Sequence, residues 1–189
     1  MGMSFSFVVY ASWIVLFVVW IRGYFTSKRS SDVPSPGRQV AATVLLIACF
    51  ALLFTPHMPG LGRPVTPPSP GFGWTGAVLT LAGIAFAISA RLTLGRDWSG
   101  LVMSVKERHR LVQNGPYGIV RHPIYTGLLL AIIGTALTFG TLASYLGVAA
   151  GFAGFMIRID IEEKLMRELF GDAHAAYRRR TRTLIPFVW

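Results

Sequence analysis

Five apolar runs separated by polar or turn-forming stretches set the plan of this chain. They cover Phe5 to Ile21, Val40 to Phe54, Trp74 to Ala90, Thr126 to Phe139 (with Pro123 as an earlier candidate start) and Leu142 to Ile157. Each is at the short end for crossing a hydrocarbon core of about 30 Å and gains length from its flanks. Only Gly140 and Thr141 separate the last two, which predicts an antiparallel helical hairpin. The third run carries Gly76, Ala82, Gly83, Ala87 and Ala90; small residues let backbones approach closely, so this helix is expected to pack centrally. Residues 55–73 hold six prolines and one charge, Arg63, which predicts irregular chain that cannot lie unpaired in lipid. Past Arg158 the chain starts as a charged helix, E-E-K-L-M-R-E-L-F. It passes Gly171-Asp172, continues A-H-A-A-Y-R-R-R and closes with L-I-P-F-V-W. The pattern predicts an all-α integral membrane protein with five transmembrane helices and a C-terminal helical region. Residues 1–189 are read as a single domain whose chemistry lies in 91–189.

Composition agrees. Hydrophobic residues make up 53% and charged residues only 14%, against about 25% charged in a soluble domain; mean hydropathy is +0.54. The net charge of +10 raises nucleic acid as a partner, but the cations gather at the ends of apolar runs rather than on one face. No nucleic acid is expected. With five spans, seventeen of the eighteen Lys and Arg fall on one side, with Arg63 alone on the other. The positive-inside rule then puts the N-terminus outside and the long polar segments and C-terminus in the cytoplasm. A bacterial inner membrane is the expected host. The first run has its positive charges after it, so it reads as a retained helix and not a signal peptide. The one cysteine, Cys49, reads as a small buried hydrophobe.

Aqueous chemistry then has few places to sit. His109 to Tyr125, H-R-L-V-Q-N-G-P-Y-G-I-V-R-H-P-I-Y, is polar, basic and rich in turn formers between two apolar regions. Pro123 suits the first turn of a helix, and the free N–H groups of such a helix end attract anions. The predicted hairpin places His122 near Arg158. Arg158 and Glu162, at i and i+4, share a helix face. An arginine at a membrane boundary tends to serve a purpose, and its planar fork matches a carboxylate. Glu163 is expected to point elsewhere and Asp160 to lie off that face. No Cys/His spacing supports a metal site, and neither a Gly-x-Gly-x-x-Gly loop nor a Walker lysine motif occurs.

These elements, H109-R-L-V, N-G-P-Y117, R-H-P-I-Y125, R158-x3-E162-E163, then L-F-G171, Y177-R-R-R and L-I-P186, resemble the isoprenylcysteine carboxyl methyltransferases and their prokaryotic relatives. The wider superfamily includes phospholipid N-methyltransferases. The resemblance covers residues 90–188. It implies S-adenosyl-L-methionine as methyl donor and a lipophilic, prenylated or other lipid-like acceptor entering from the bilayer. By position it implies donor binding by His109, Arg110, Leu111, Val112, Tyr117, His122, Pro123, Ile124, Tyr125 and Glu162. Arg158 would place the acceptor carboxylate. Two departures stand out: His174 occupies a place often held by tyrosine, and Val102 one where eukaryotic members carry a polar donor contact.

Other readings are an aminophospholipid or thiol acceptor, a membrane reductase using a nicotinamide cofactor, and a non-catalytic scaffold. A scaffold explains helix packing but not the meeting of His122 and Arg158 on one edge.

Overall fold

The computed structural model describes residues 4–26, 35–55, 58–95, 98 and 110–185. All five apolar runs are helices: α1 Phe5–Thr26, α2 Pro36–Phe54, α3 Pro70–Leu94, α4 Pro123–Phe139 and α5 Leu142–Arg180. The apolar pattern underestimates their lengths because prolines open three of them. Pro36, Pro70 and Pro123 sit in first turns, where the missing N–H is not needed and φ is already set. The charged segment does not form a separate helix. It continues α5 to 39 residues, broken only at Gly171 (φ 45, ψ −116).

The protein is an integral membrane protein of all-helical fold. Four helices are long and apolar enough to cross a membrane, and α4 is a shorter apolar helix of 17 residues, about 26 Å at 1.5 Å per residue. In α5 the apolar stretch precedes Arg158 and the charged residues follow it.

Small residues hold α3 against α4. A Cβ at Gly83 would stand 2.5 Å from the Ala131 nitrogen and the Gly127 oxygen, and one at Gly134 2.5 Å from the Thr80 nitrogen. Backbone therefore meets backbone along this seam, as the small residues of α3 predict, except that Ala82 is exposed. A second seam sets Gly147, Gly151 and Gly154 of α5 against Cys49, Leu53, Ala42 and Leu46 of α2. Helix α1 joins through Trp13, whose indole N–H donates to Thr135 Oγ1 at 2.9 Å.

The α4–α5 hairpin forms as expected. Gly140 takes the left-handed conformation (φ 66), and Thr141 caps α5 in a capping box with Ser144. The proline-rich loop satisfies its backbone here: Val65 and Thr66 donate to Gly140 O, while Leu142 and Ala143 donate to Arg63 O and Leu61 O.

Candidate active site

The hairpin carries the start of α4 to the middle of α5, and three lengths of chain converge there. The first is the 110–122 segment, turned by a 310 turn at Gly115–Gly118. The second is α5 from Arg158 to Tyr177. The third is the C-terminal tail, which returns to the start of α4 and lies parallel to residues 119–122: Arg121 N donates to Arg182 O at 2.7 Å and His122 N to Thr183 O at 3.1 Å. Thr126 Oγ1 reaches Leu184 O at 2.7 Å. The tail is thus fastened to the site through residue 184.

His122, at the N-cap of α4, is buried between two carboxylates. Its Nδ1 lies 2.9 Å from Glu162 Oε2 and its Nε2 3.0 Å from Glu163 Oε1. Carboxylates only accept, so both ring nitrogens must donate, which requires the imidazolium. Burial opposes that charge, but the two glutamates outweigh it and raise the pKa above 6.5. Glu163 is the hub. It also takes Arg121 Nε at 2.6 Å, with Arg178 Nε at 3.4 Å and His174 Nε2 at 3.7 Å. Burial works against this carboxylate too, yet His122 and Arg121 bring it down to about 2. Arg121 finishes its fork on the tail, donating to Thr181 O at 2.8 Å and Thr183 Oγ1 at 2.9 Å.

This corrects the expectation for Glu163. It does not point away; it lies on the flank next to Glu162, and the tail brings Arg121 and His122 over that flank. The only signal for it in the sequence was the adjacent pair of glutamates, and Arg167 at i+4 offers the second an ordinary helix-surface partner that masks its role. Asp160 does lie off the face, paired with Arg38 at 2.7 Å on the exposed side.

Glu162 keeps one side open. Oε2 meets His122, Oε1 accepts from the Tyr125 hydroxyl at 3.1 Å, and the side chain is still 26% exposed. It lines a cavity of about 650 Å³ together with Arg110, Leu111, Val112, Tyr117, His122, Ile124, Tyr125 and Arg158. That volume is ordinary for a small-molecule site. Arg158 is buried, has Thr43 Oγ1 3.5 Å from Nη2, and stands within hydrogen-bonding reach of Tyr125. The meeting of His122 and Arg158 on one edge is therefore real. Pro123 is fully buried and supports the wall from behind. His109 and Val102 lie outside the described residues.

The rest of the lining was not legible beforehand. Tyr177 lines the cavity and its hydroxyl donates to Tyr117 O at 2.7 Å, while Arg180 holds Gln113 Oε1 at 2.7 Å. These contacts clamp the last helical turns onto the 310 turn. On the far side Trp98 packs edge-on against Trp20, 5.7 Å between ring centroids, beneath the Arg91 guanidinium. Away from the charges the walls are apolar: Leu16 and Phe17 of α1, Leu46 and Phe50 of α2, Leu128 and Ile132 of α4. A ligand with a charged, ring-bearing part and a greasy part fits this division.

Comparison with known proteins agrees with this layout. The chain is 31% identical over 115 residues to protein-S-isoprenylcysteine O-methyltransferase B of Arabidopsis thaliana, covering 60% of this chain and 58% of that one. It is 33% identical over 110 residues to a cobalt-zinc-cadmium resistance protein of Cupriavidus metallidurans, covering 58% and 49%. The solved structure of a eukaryotic intramembrane Ras methyltransferase, an isoprenylcysteine carboxyl methyltransferase, superposes with a TM-score of 0.51 at 26% identity. That match covers 83% of this chain and 55% of the other. The chain thus spans about half to three-fifths of the length of these relatives. The family profile described as phospholipid methyltransferase matches residues 72–173, more than half of the chain, and includes α3, the 310 turn, α4 and the Arg158–Glu163 stretch of α5: the chain belongs to the phospholipid methyltransferase family.

Proposed function

We propose that the protein is an S-adenosyl-L-methionine-dependent methyltransferase that methylates the carboxylate of a prenylcysteine-like or other lipophilic acceptor. The observation that carries this reading is one cavity with Arg158, Glu162 and Tyr125 at its charged end and an unbroken apolar lining beyond them. The names of the relatives support the same chemistry.

The donor set suits the proposed cofactor. Glu162 retains open acceptor capacity for an ammonium group or a ribose hydroxyl. Tyr117, Ile124 and Tyr125 offer flat and apolar surface for a ring, and Arg110, Leu111 and Val112 continue the wall. His122 and Pro123 fix the helix end behind these groups, and His109 belongs to the same set by its place in the motif. When bound, the cofactor supplies an electrophilic methyl group on sulfur.

A carboxylate acceptor is already ionised near neutral pH and needs no general base. The chain's task is to orient it, exclude water and avoid holding it so tightly that it loses nucleophilicity. Arg158 does the orienting with its fork, and Thr43 and Tyr125 steady the guanidinium. An ammonium headgroup would meet Arg158 as a like charge, which favours an anionic acceptor over an aminophospholipid. On this reading the N-terminus is outside, the site faces the cytoplasm, and residues 1–189 act as one unit.

The test is labelled-methyl transfer over prenylcysteine, fatty acid, thiol and aminophospholipid panels, with calorimetry for the methyl donor and for nicotinamide cofactors. Arg158→Ala should lower turnover on the preferred acceptor by about 100-fold, the loss of a charged hydrogen-bonding partner, and leave donor affinity within about threefold. Glu162→Gln should do the reverse, weakening donor affinity first. An unchanged rate in Arg158→Ala removes that residue from the site, and binding of neither cofactor type ends both enzyme readings.

A further inference from the structure

The apolar part of the cavity has a definite depth. Four helices rank their lining residues in the same order, from the charged end inward: Trp20 then Leu16 on α1, Thr43 then Phe50 on α2, Tyr125 then Ile132 on α4, Arg158 then Phe155 on α5. Thr43 fixes the upper level, since its hydroxyl stands 3.5 Å from Arg158 Nη2. Seven residues separate Thr43 from Phe50 and Tyr125 from Ile132, so α2 and α4 carry the lining to a depth of about 10 Å, while the named pairs on α1 and α5 reach about 6 and about 4.5 Å.

The floor is closed by rings. Phe50 meets Trp13 edge-on with centroids 5.0 Å apart and stacks on Phe54 at 6.2 Å. Trp13 is 2% exposed and tied to Thr135 through its indole N–H, so the layer beneath Phe50 cannot easily yield. The side is different. Phe17 and Ile47 line the cavity and are nevertheless 48% and 64% exposed on the outer surface. Ala51, one residue beyond Phe50, also lines the cavity and is exposed. At the level of the floor, the wall between α1 and α2 is thus exposed.

We propose that Phe50, backed by Trp13, determines how much of the acceptor's apolar chain the protein reads. This rests on the methyl-acceptor reading above and adds a length to it. Carbon–carbon bonds of about 1.5 Å advance a zigzag chain by about 1.25 Å per carbon, so a depth of about 10 Å takes about eight carbons. Phe50 turns the remainder sideways past Phe17, Ile47 and Ala51 into the bilayer. The first segment of the chain is recognised and everything after it is tolerated, so specificity falls on what lies close to the head group.

The experiment is a chain-length series: S-alkyl N-acetylcysteines from hexyl to hexadecyl, assayed by labelled-methyl transfer with the full chain in nanodiscs and referred to mole fraction in the bilayer. The chain starts in lipid, so each methylene gains only by filling the void a shorter chain leaves at the floor, about threefold. Accordingly, kcat/KM should climb by roughly tenfold between hexyl and octyl, then stay within about twofold up to hexadecyl. Phe50→Ala opens the floor and should move the break to longer chains. Ala51→Trp narrows the side exit and should lower the hexadecyl-to-hexyl ratio by about tenfold, turning the plateau into a cut-off. It lies on the outer wall, so it keeps the test informative if Phe50→Ala folds poorly. A wild-type profile without a break near eight carbons overturns the proposal while the acceptor reading stands. So does an Ala51→Trp variant whose long-to-short ratio is unchanged. If the wild type methylates no member of the series, the carboxylate-acceptor reading falls and the proposal with it.

Discussion

The two walls of the cavity are built on opposite principles. On the α3–α4 side, glycines bring backbone against backbone, so that a Cβ at Gly83, Gly127 or Gly134 has no room. On the α1–α2 side, helices that pack mainly on other partners meet through rings: Trp13 with Phe50 and Phe54, and Phe17 with Phe50 at 5.9 Å. A backbone seam has one solution, because interiors are close-packed and nothing in it can rotate away. On the ring side Trp13 is held by burial and by Thr135, but the half-exposed Phe17 can slide and tilt at small cost. The rigid wall bears Tyr125 and, through the hairpin, Glu162, the groups proposed to hold a cofactor of fixed shape. The adaptable wall faces the part of the cavity proposed to take a variable apolar chain.

The harshest way to break this contrast is to substitute one residue on each wall. Gly83→Val puts a branched side chain where the Ala131 nitrogen already stands 2.5 Å from a single Cβ. Overpacking of this kind costs about 3 kcal/mol or more, and here it should appear as loss of folded protein in detergent. Phe17→Leu, half exposed on the ring side, should cost less than about 1 kcal/mol. Thermal unfolding of both variants in one detergent checks the pair. Equal destabilisation would mean that the ring wall is as constrained as the seam.

A second comparison lies within the site, between the two glutamates. Both line the cavity, but Glu163 is enclosed by cations, with Oε1 bonded to Arg121 and His122 and Oε2 within 4 Å of His174 and Arg178, whereas Glu162 is the more exposed of the two. Glu163→Gln should therefore lower stability by about 2 kcal/mol through the weakened bonds from Arg121 and His122, and weaken donor binding only through the disturbed His122. The pH dependence carries the sign. Glu163, with its folded value lowered to about 2 from 4.5, contributes stability that is present above 4.5 and lost as pH falls toward 2. His122, with its folded value raised above 6.5, contributes stability that is full below 6.5 and lost as pH rises through that higher value. The wild type should be most stable between about 4.5 and 6.5 from these groups. In Glu163→Gln the acid limb should flatten, and the alkaline limb should be smaller and end at lower pH because His122 keeps less of its upward shift. Unfolding midpoints from pH 3 to 9 decide it, and unchanged limbs would remove the cluster as their source.

The five helices were legible because a membrane leaves apolar runs few alternatives, and the hairpin because two residues can only turn back. The His122–Arg158 edge followed from that hairpin by topology alone. What stayed hidden depends on contacts that sequence spacing does not encode. Glu163 becomes the hub only because the tail at Thr181–Leu184 folds back beside Val120 and Arg121, a pairing separated by some sixty residues. The cavity walls supplied by α1 and α2 were hidden for another reason: Leu16, Phe17 and Phe50 look the same whether they face lipid, core or ligand. Prolines were read correctly as breakers of the preceding run but also open the next helix, which shifted α2 and α3 by four residues each.

The smallest expected effect sits two residues from Glu162. Asp160 holds Arg38 at 2.7 Å, but the two side chains are 65% and 50% exposed. Exposed ion pairs contribute about 0.2–1 kcal/mol and are screened by salt. Asp160→Asn should therefore shift stability by no more than about 0.5 kcal/mol at low salt, vanish into the wild-type value at high salt, and leave donor affinity unchanged. The substitution lies on the same turn of α5 as Glu162→Gln and removes the same charge, so the pair separates net charge near the site from geometry within it. Donor affinity that falls equally in both, measured by calorimetry in low and high salt, would mean that a diffuse negative field attracts the ligand and that the contacts of Glu162 with His122 and Tyr125 do not position it.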